Sequence, residues 1–172
     1  PAVREIAVRS GVTSPIGDEL GLSLALGSLT VTPLELAASY APFANGGNRV
    51  EPHVLTMVGD EAEPPRTPVP ALRPESAYVV TSLMRSVVDD GTARAASARL
   101  RRPVAGKTGT SNDQKDAWFV GFSPDLLAAV WVGYDDMRKL GKGEAGGRTA
   151  LPIWTDFMAK ALADKPVRDF PQ

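Results

Sequence analysis

The tightest constraint in this sequence is the run of strand-like segments that begins at Val104. Val104–Thr108 is short, Ala117–Phe122 is rich in aromatic and β-branched residues, and Leu126–Tyr134 is strongly apolar. Ser123-Pro124-Asp125, between the last two, is a compact hairpin connection. Three consecutive strands with short links imply an antiparallel meander over 101–134. A glycine-rich loop at 141–147 follows. A helix is then predicted from 151 to 163, with Ile153, Trp154, Phe157, Met158, Ala161 and Leu162 on its apolar stripe.

Residues 1–100 read as mainly helical, with a strand and loop excursion at 49–71. Val3, Ile6, Ala7 and Val8 form a loose helical pattern ended by Gly11, and residues 13–21 read as a turn. The next helix carries a capping signature, with Thr32 before Pro33 and Glu35 three positions on, and it stops near Asn45-Gly46-Gly47. Arg49–Gly59 reads as a strand, residues 60–71 as a proline-rich loop, and a third helix begins near Pro74 and ends at Asp89-Asp90-Gly91. The expected fold class is therefore mixed α+β, an antiparallel sheet with packed helices.

Composition excludes several functions. At 172 residues, 43% hydrophobic, the chain is long enough for one compact domain with a core. A net charge of −1 gives no reason to expect a nucleic-acid partner. There is no cysteine, and His53 is the single histidine, so thiolate chemistry and multi-histidine metal sites are excluded and no metal is expected. No apolar run is long enough to span a bilayer. The chain starts at Pro1 without a basic-then-apolar leader, so it is expected to be a piece of a longer protein, with any signal or anchor upstream.

The sharpest local signal is Val104-Ala105-Gly106-Lys107-Thr108-Gly109-Thr110-Ser111. One reading is a phosphate-binding loop ending in Gly106-Lys107-Thr108. That loop needs a glycine where Arg101 stands and a helix directly after Thr108, whereas Gly109 and a run of turn formers follow. The other reading is Lys-Thr-Gly on an edge strand of a serine acyltransferase, a motif that accompanies Ser-x-x-Lys and Ser-x-Asn. Ideal strand geometry puts Lys107 and Gly109 on one face and Thr108 and Thr110 on the other, but a twisted edge lets lysine and hydroxyls converge. Gly109 allows close approach to the backbone. The free edge can hold an extended peptide, and the two hydroxyls can donate to a carboxylate. A bare triplet of this kind also occurs at the end of ordinary strands.

The surrounding blocks add specificity. They are Leu24-Ala25-Leu26-Gly27-Ser28, Val31-Thr32-Pro33-Leu34-Glu35-Leu36-Ala37, Phe43-Ala44-Asn45-Gly46-Gly47, Asp90-Gly91-Thr92-Ala93, Lys115-Asp116-Ala117-Trp118-Phe119-Val120-Gly121-Phe122, Trp131-Val132-Gly133-Tyr134-Asp135, and Gly146-Gly147 with Ala150-Leu151-Pro152-Ile153-Trp154. In this order they closely resemble the C-terminal part of the transpeptidase domain of class A, bifunctional penicillin-binding proteins. The resemblance implies a β-lactamase/penicillin-binding-protein-like fold, incomplete at its N-terminus. The motif strand would lie at the sheet edge, the C-terminal helix would cover one face, and Leu126–Tyr134 would be left unpaired.

The resemblance also implies a D,D-transpeptidase that cross-links peptidoglycan stem peptides ending in D-Ala-D-Ala and is acylated by β-lactam antibiotics. It would act without a cofactor, on the periplasmic face of the cytoplasmic membrane. Lys107 and Thr110 would be catalytic, and Thr108, Gly109, Thr110 and Ser111 would bind substrate. The amide of Thr110 would form half of an oxyanion hole. No Ser-x-x-Lys and no Ser-x-Asn occurs in the chain, so the nucleophile is expected in the upstream half of the same domain, and this chain alone is expected to be inactive. The alternatives are a D,D-carboxypeptidase or β-lactamase relative, or a non-catalytic scaffold.

Other features carry ordinary readings. Gly141 to Gly146 matches a dinucleotide fingerprint without the βαβ unit that gives the pattern meaning, so it reads as a loop. His53 reads as a structural residue in a strand, Asp135-Asp136 as a solvated turn, and Asn112 to Asp116 as the turn after the motif strand. Trp118, Trp131 and Trp154 read as core.

Overall fold

The computed structural model describes residues 2–63, 66–111, 113–141 and 143–171. Asn112 in the expected turn and the second position of the glycine pattern, Lys142, lie outside the described residues. Helix α1 spans Ala2–Ser10. It ends at Gly11, whose φ of +114° is a region that L side chains rarely adopt. A 3-10 stretch over Asp18–Leu26, broken at Gly21, follows. Helix α2 spans Pro33–Ala44, α3 Pro74–Asp89, α4 Arg94–Leu100 and α5 Ala150–Ala161. No helix of the described residues is long and apolar enough to cross a membrane.

The capping box of α2 is present, and its glutamate does more than cap. Glu35 Oε2 takes the Thr32 amide at 3.3 Å, while the Glu35 amide donates to Thr32 Oγ1 at 3.2 Å. The same carboxylate, 9% exposed, also accepts from the Thr13 amide, from the Ser14 amide at 2.5 Å and from Ser14 Oγ at 2.6 Å. Burial alone would raise its pKa. The bonds from the Ser14 hydroxyl and from the Ser14, Thr13 and Thr32 amides outweigh that and hold it at about 2. One side chain thus ties the turn after α1 to the start of α2.

Strands β5 (Ala105–Thr110), β6 (Asp116–Phe122) and β7 (Leu127–Gly133) form an antiparallel sheet in the order β5-β6-β7. This is the expected meander, with boundaries moved by at most two residues and β5 at an edge. In the β6–β7 hairpin the Ser123 amide donates to the Leu126 carbonyl at 2.9 Å, and Ser123 Oγ accepts from the Asp125 and Leu126 amides.

Both sheet faces are covered. On one, Phe119 packs with Val88, Ala96, Val104, Leu151, Trp154 and Met158 from α3, α4, β5's lead-in and α5. Trp154 meets Phe119 edge-on at 4.8 Å between centroids, and its Nε1 donates to the Ala128 carbonyl at 3.1 Å. On the other, Ala105 and Phe122 pack with Met84 and Phe170, flanked by Tyr40, Phe43 and Val80 of α2 and α3. A strand buried on both faces reads as a continuous apolar run, as β6 does.

Three expectations need correction. The strand read over Arg49–Gly59 is not one strand. Its ends, β1 (Asn48–Arg49) and β2 (Met57–Val58), pair with β4 (Val69–Pro70) and β3 (Glu61–Ala62), both inside the segment read as a loop. The apolar residues there lack a sustained alternation and face solvent, so a long strand has no surface to pack on. His53 consequently sits in an irregular segment, with Nε2 3.8 Å from Glu63. The stripe of α5 is rotated: Leu151, Trp154, Thr155, Met158 and Leu162 are buried, whereas Ile153 and Phe157 are about half exposed. Of the tryptophans, Trp154 is core, Trp118 is half-buried and Trp131 is exposed.

Candidate active site

The motif occupies the free edge of the sheet. In β5, Gly106 pairs with Gly121, Thr108 with Phe119 and Thr110 with Ala117. Ser111, next in line, donates its amide to the Asp116 carbonyl at 3.2 Å. Bonded and non-bonded pairs alternate along an antiparallel ladder. Ser111, Gly109 and Lys107 therefore point their amides at β6, while Thr110, Thr108 and Gly106 point N–H and C=O outward to the open edge. No backbone carbonyl among the described residues takes the outward Thr110 amide.

Two glycines make this placement possible. A Cβ on Gly106 would fall 2.7 Å from the Phe119 ring and 2.8 Å from the Val120 carbonyl. One on Gly109 would lie 3.1 Å from Trp118 Cβ. Both glycines let β5 lie flat on β6, and Gly109 leaves the backbone beside the threonines uncovered.

Lysine and hydroxyls do converge. Lys107 starts on the face opposite Thr108, yet its Nζ reaches the edge and donates to the outward Thr108 carbonyl at 2.9 Å, 3.5 Å from Thr108 Oγ1. Thr108 Oγ1 lies 3.2 Å from Thr92 Oγ1. Thr110 Oγ1 accepts from the Gly146 amide at 3.1 Å. Gly146 is pressed onto the strand: a Cβ there would sit 2.3 Å from the Trp118 carbonyl and 2.7 Å from that of Gly109. Lys107 and Thr110 are exposed, and Thr108 is half-buried. The result is a cation, two hydroxyls and an outward amide on one edge, suited to holding an anionic group and a polarised carbonyl oxygen.

Ser111 is differently engaged. Its Oγ accepts from the Lys115 and Asp116 amides at 2.9 and 3.0 Å, which closes the turn after β5. The phosphate-loop reading does not survive, because Thr108 is followed by two more strand residues rather than a helix. Gly141–Gly146 does not open a helix after a strand either: β7 ends at Gly133 and α5 starts at Ala150. The small cavity lined by Tyr78, Thr81, Ser82, Arg85, Asp169 and Phe170 includes no residue of β5. Sequence reasoning missed Thr92 and the Gly146 amide as partners of the threonines. Both lie in blocks that it singled out, but nothing local says that they meet β5.

An antiparallel sheet sandwiched between helices, with Lys-Thr-Gly on its free edge, fits the fold class of the penicillin-binding proteins and serine β-lactamases. The family model described as the penicillin binding protein transpeptidase domain matches residues 9–159, and the chain belongs to that family. It is 43% identical over 157 residues to penicillin-binding protein 1A of Neisseria lactamica, covering 86% of this chain and 20% of that protein. It is 37% identical to penicillin-binding protein 1A of Pseudomonas aeruginosa, covering 87% of this chain and 25% of that protein. The chain thus spans about a fifth to a quarter of the curated relatives it matches. The crystal structure of penicillin-binding protein 1A from Haemophilus influenzae superposes with a TM-score of 0.81 at 29% identity, covering 96% of this chain and 31% of that one. An imipenem acyl-enzyme of penicillin-binding protein A from M. tuberculosis superposes at 0.60 and 25% identity, covering 91% of this chain and 41% of that one.

Proposed function

We propose that this chain is the motif-bearing half of a serine D,D-transpeptidase domain. In this reading the parent protein cross-links peptidoglycan stem peptides on the extracytoplasmic face of the cytoplasmic membrane and is acylated by β-lactams. A serine from the preceding half of the domain, absent from this chain, attacks the carbonyl carbon between two D-alanines. The C–N bond breaks, D-alanine leaves with a proton, and an ester to the serine forms. An amine of a second stem then attacks the ester, forming the cross-link amide and releasing the serine. The covalent intermediate divides one difficult exchange into two easier ones. With a β-lactam the same attack opens the ring, and the ester persists.

Each site residue has a role in this scheme. Lys107 supplies positive charge beside the serine's hydroxyl network. Thr108 and Thr110 donate to the terminal carboxylate of the stem or of penicillin, and Gly109 admits the peptide against the strand. The outward Thr110 amide forms half of the oxyanion hole, a donor whose loss typically costs about a hundredfold or more in rate. Ser111 holds the turn that ends the strand, and among the described residues its hydroxyl only accepts, from the Lys115 and Asp116 amides. The observation that carries the reading is the convergence of Lys107 Nζ and the Thr108 hydroxyl, 3.5 Å apart, on the edge to which the Thr110 amide points.

Intact-mass spectrometry after incubation with benzylpenicillin tests it, on this chain and the full-length protein side by side. One penicilloyl group is expected on the full-length protein, mapped to a serine outside this chain, and none on the chain alone. An adduct on this chain would mean that the nucleophile is misassigned. No adduct on either would favour a non-catalytic scaffold.

A further inference from the structure

We propose that Thr92 is a positioning residue. With the Gly146 amide, it fixes the Thr108 and Thr110 hydroxyls as donors aimed at a substrate carboxylate. The inference rests on reading β5 as the carboxylate-holding edge.

A threonine hydroxyl has one proton and two lone pairs. A carboxylate only accepts, so each hydroxyl that holds it must give its proton to it and take its own structural bonds as an acceptor. Thr110 meets this condition through a fixed donor. The Gly146 N–H points at Thr110 Oγ1 from 3.1 Å, and an amide cannot reverse its role. Thr108 lacks an amide of this kind, and among the described residues the one cationic donor near it, Lys107 Nζ, lies 3.5 Å from Thr108 Oγ1 and is engaged more closely by the Thr108 carbonyl at 2.9 Å. Thr92 Oγ1 stands 3.2 Å away, and either oxygen can donate. A bound carboxylate resolves the choice: the Thr108 proton turns to the carboxylate, and the Thr92 proton turns to Thr108 Oγ1. The two bonds then polarise each other.

Thr92 is held firmly enough for the task. It sits at the α3–α4 junction, where the Ala93 amide donates to the Val87 carbonyl at 3.0 Å and Ala93 is fully buried. A Cβ on Gly91 would fall 2.8 Å from the Val87 backbone, so the chain before Thr92 is pinned against α3. A Cβ on Gly147 would lie 3.1 Å from the Thr92 carbonyl and 3.8 Å from the Thr108 methyl group. The glycine pair thus touches both motif threonines and Thr92, with Gly146 over Thr110 and Gly147 between Thr92 and Thr108. Thr92 is itself exposed, so removing its hydroxyl disturbs no core.

The test is acylation of the full-length protein by benzylpenicillin and by its methyl ester, comparing wild type with Thr92→Val and Thr92→Ser. Valine keeps the shape and loses the hydroxyl; serine keeps the hydroxyl. Thr92→Val is expected to slow acylation by the free acid roughly 5- to 10-fold, the worth of one hydrogen bond between neutral groups. The ester, whose charge is gone, should change by less than about twofold, and serine should restore the acid rate to within the same margin. The unfolding transition should not move. Thr92→Ala, which needs less space, carries the same expectation should valine disturb the junction. Equal rates for Thr92→Val and wild type would overturn the proposal. So would equal losses on acid and ester, which would make Thr92 a support for the fold rather than for the carboxylate. A wild-type protein that penicillin does not acylate at all would instead remove the transpeptidase reading, and this inference with it.

Discussion

The unit made by β5, β6, β7 and α5 and the excursion between Asn48 and Pro70 both carry many apolar side chains, and they dispose of them in opposite ways. In the first, Phe119, Phe122, Leu151, Trp154 and Met158 are buried almost completely. In the second, Val54 is 93% exposed, and Leu55, Met57, Val58 and Val69 are all exposed as well. Hydropathy does not separate them. The first unit has runs of six or seven strand residues and a helix whose stripe faces them, so burial on one element creates the surface on which the next is buried. The excursion has strands of two residues each, too short to present a face. A sheet whose geometry must place a cation, two hydroxyls and an amide is built where packing is dense, and tolerance to change is left to the hairpin.

Substitutions can break or sharpen this contrast, each read as a shift of the domain's unfolding transition in the full-length protein. Trp154→Ala should be the most damaging, at about 4 kcal/mol, because it opens a cavity under Phe119. A loss below about 1 kcal/mol would mean that α5 does not anchor the sheet.

Glu35→Gln should cost about 2 kcal/mol, since the amide replaces a carboxylate taking several bonds from Thr13, Ser14 and Thr32. Its effect carries a pH signature. The folded-state pKa of about 2 lies below the ordinary 4.5, so the native state holds the charged form more favourably than the unfolded chain does. That contribution is complete above about pH 4.5 and is lost as pH falls toward 2. The gap between wild type and Glu35→Gln should therefore be constant at neutral pH and close on acidification. A gap independent of pH down to about 2 would remove the charge from the explanation.

Val54→Ser should be nearly silent, within about 0.5 kcal/mol, because its side chain has nothing to leave. A cost above about 1 kcal/mol would show that the excursion is covered in the full-length protein and would erase the contrast.

Much of the architecture was legible in the sequence for reasons tied to particular residues. Thr32, Pro33 and Glu35 marked the start of α2 because capping is a local event, complete within one turn. Ser123-Pro124-Asp125 marked the hairpin because so short a link leaves the next strand no choice but to turn back. Lys107-Thr108-Gly109-Thr110 was recognisable as a motif, and its place on an edge strand was what the family resemblance implied. The strand read over Arg49–Gly59 failed because β-branched residues favour a strand only where there is a surface to pack on, and propensity says nothing about that surface. The stripe of α5 was right in period and right for Trp154, Met158 and Leu162, but shifted in phase at Ile153 and Phe157. Ile153 and Phe157 are as apolar as their neighbours, and only the position of β6 and β7 decides which side is covered.

By itself, then, the sequence determined the order of the elements, the antiparallel meander, the cap of α2 and the identity of the motif on β5. The cap and the hairpin link rest on contacts between residues a few positions apart, whose geometry dihedral preferences already restrict, and the motif rests on its resemblance to a known family. The tertiary structure decided that Glu35 reaches back to Ser14 across 21 positions. It also brought Thr92 to Thr108 across 16 positions and the Gly146 amide to Thr110 across 36. Such bonds form only when independently folded segments are packed to within a few tenths of an ångström. That precision comes from the shapes of buried side chains such as Phe119 and Trp154, which no local pattern of residues encodes.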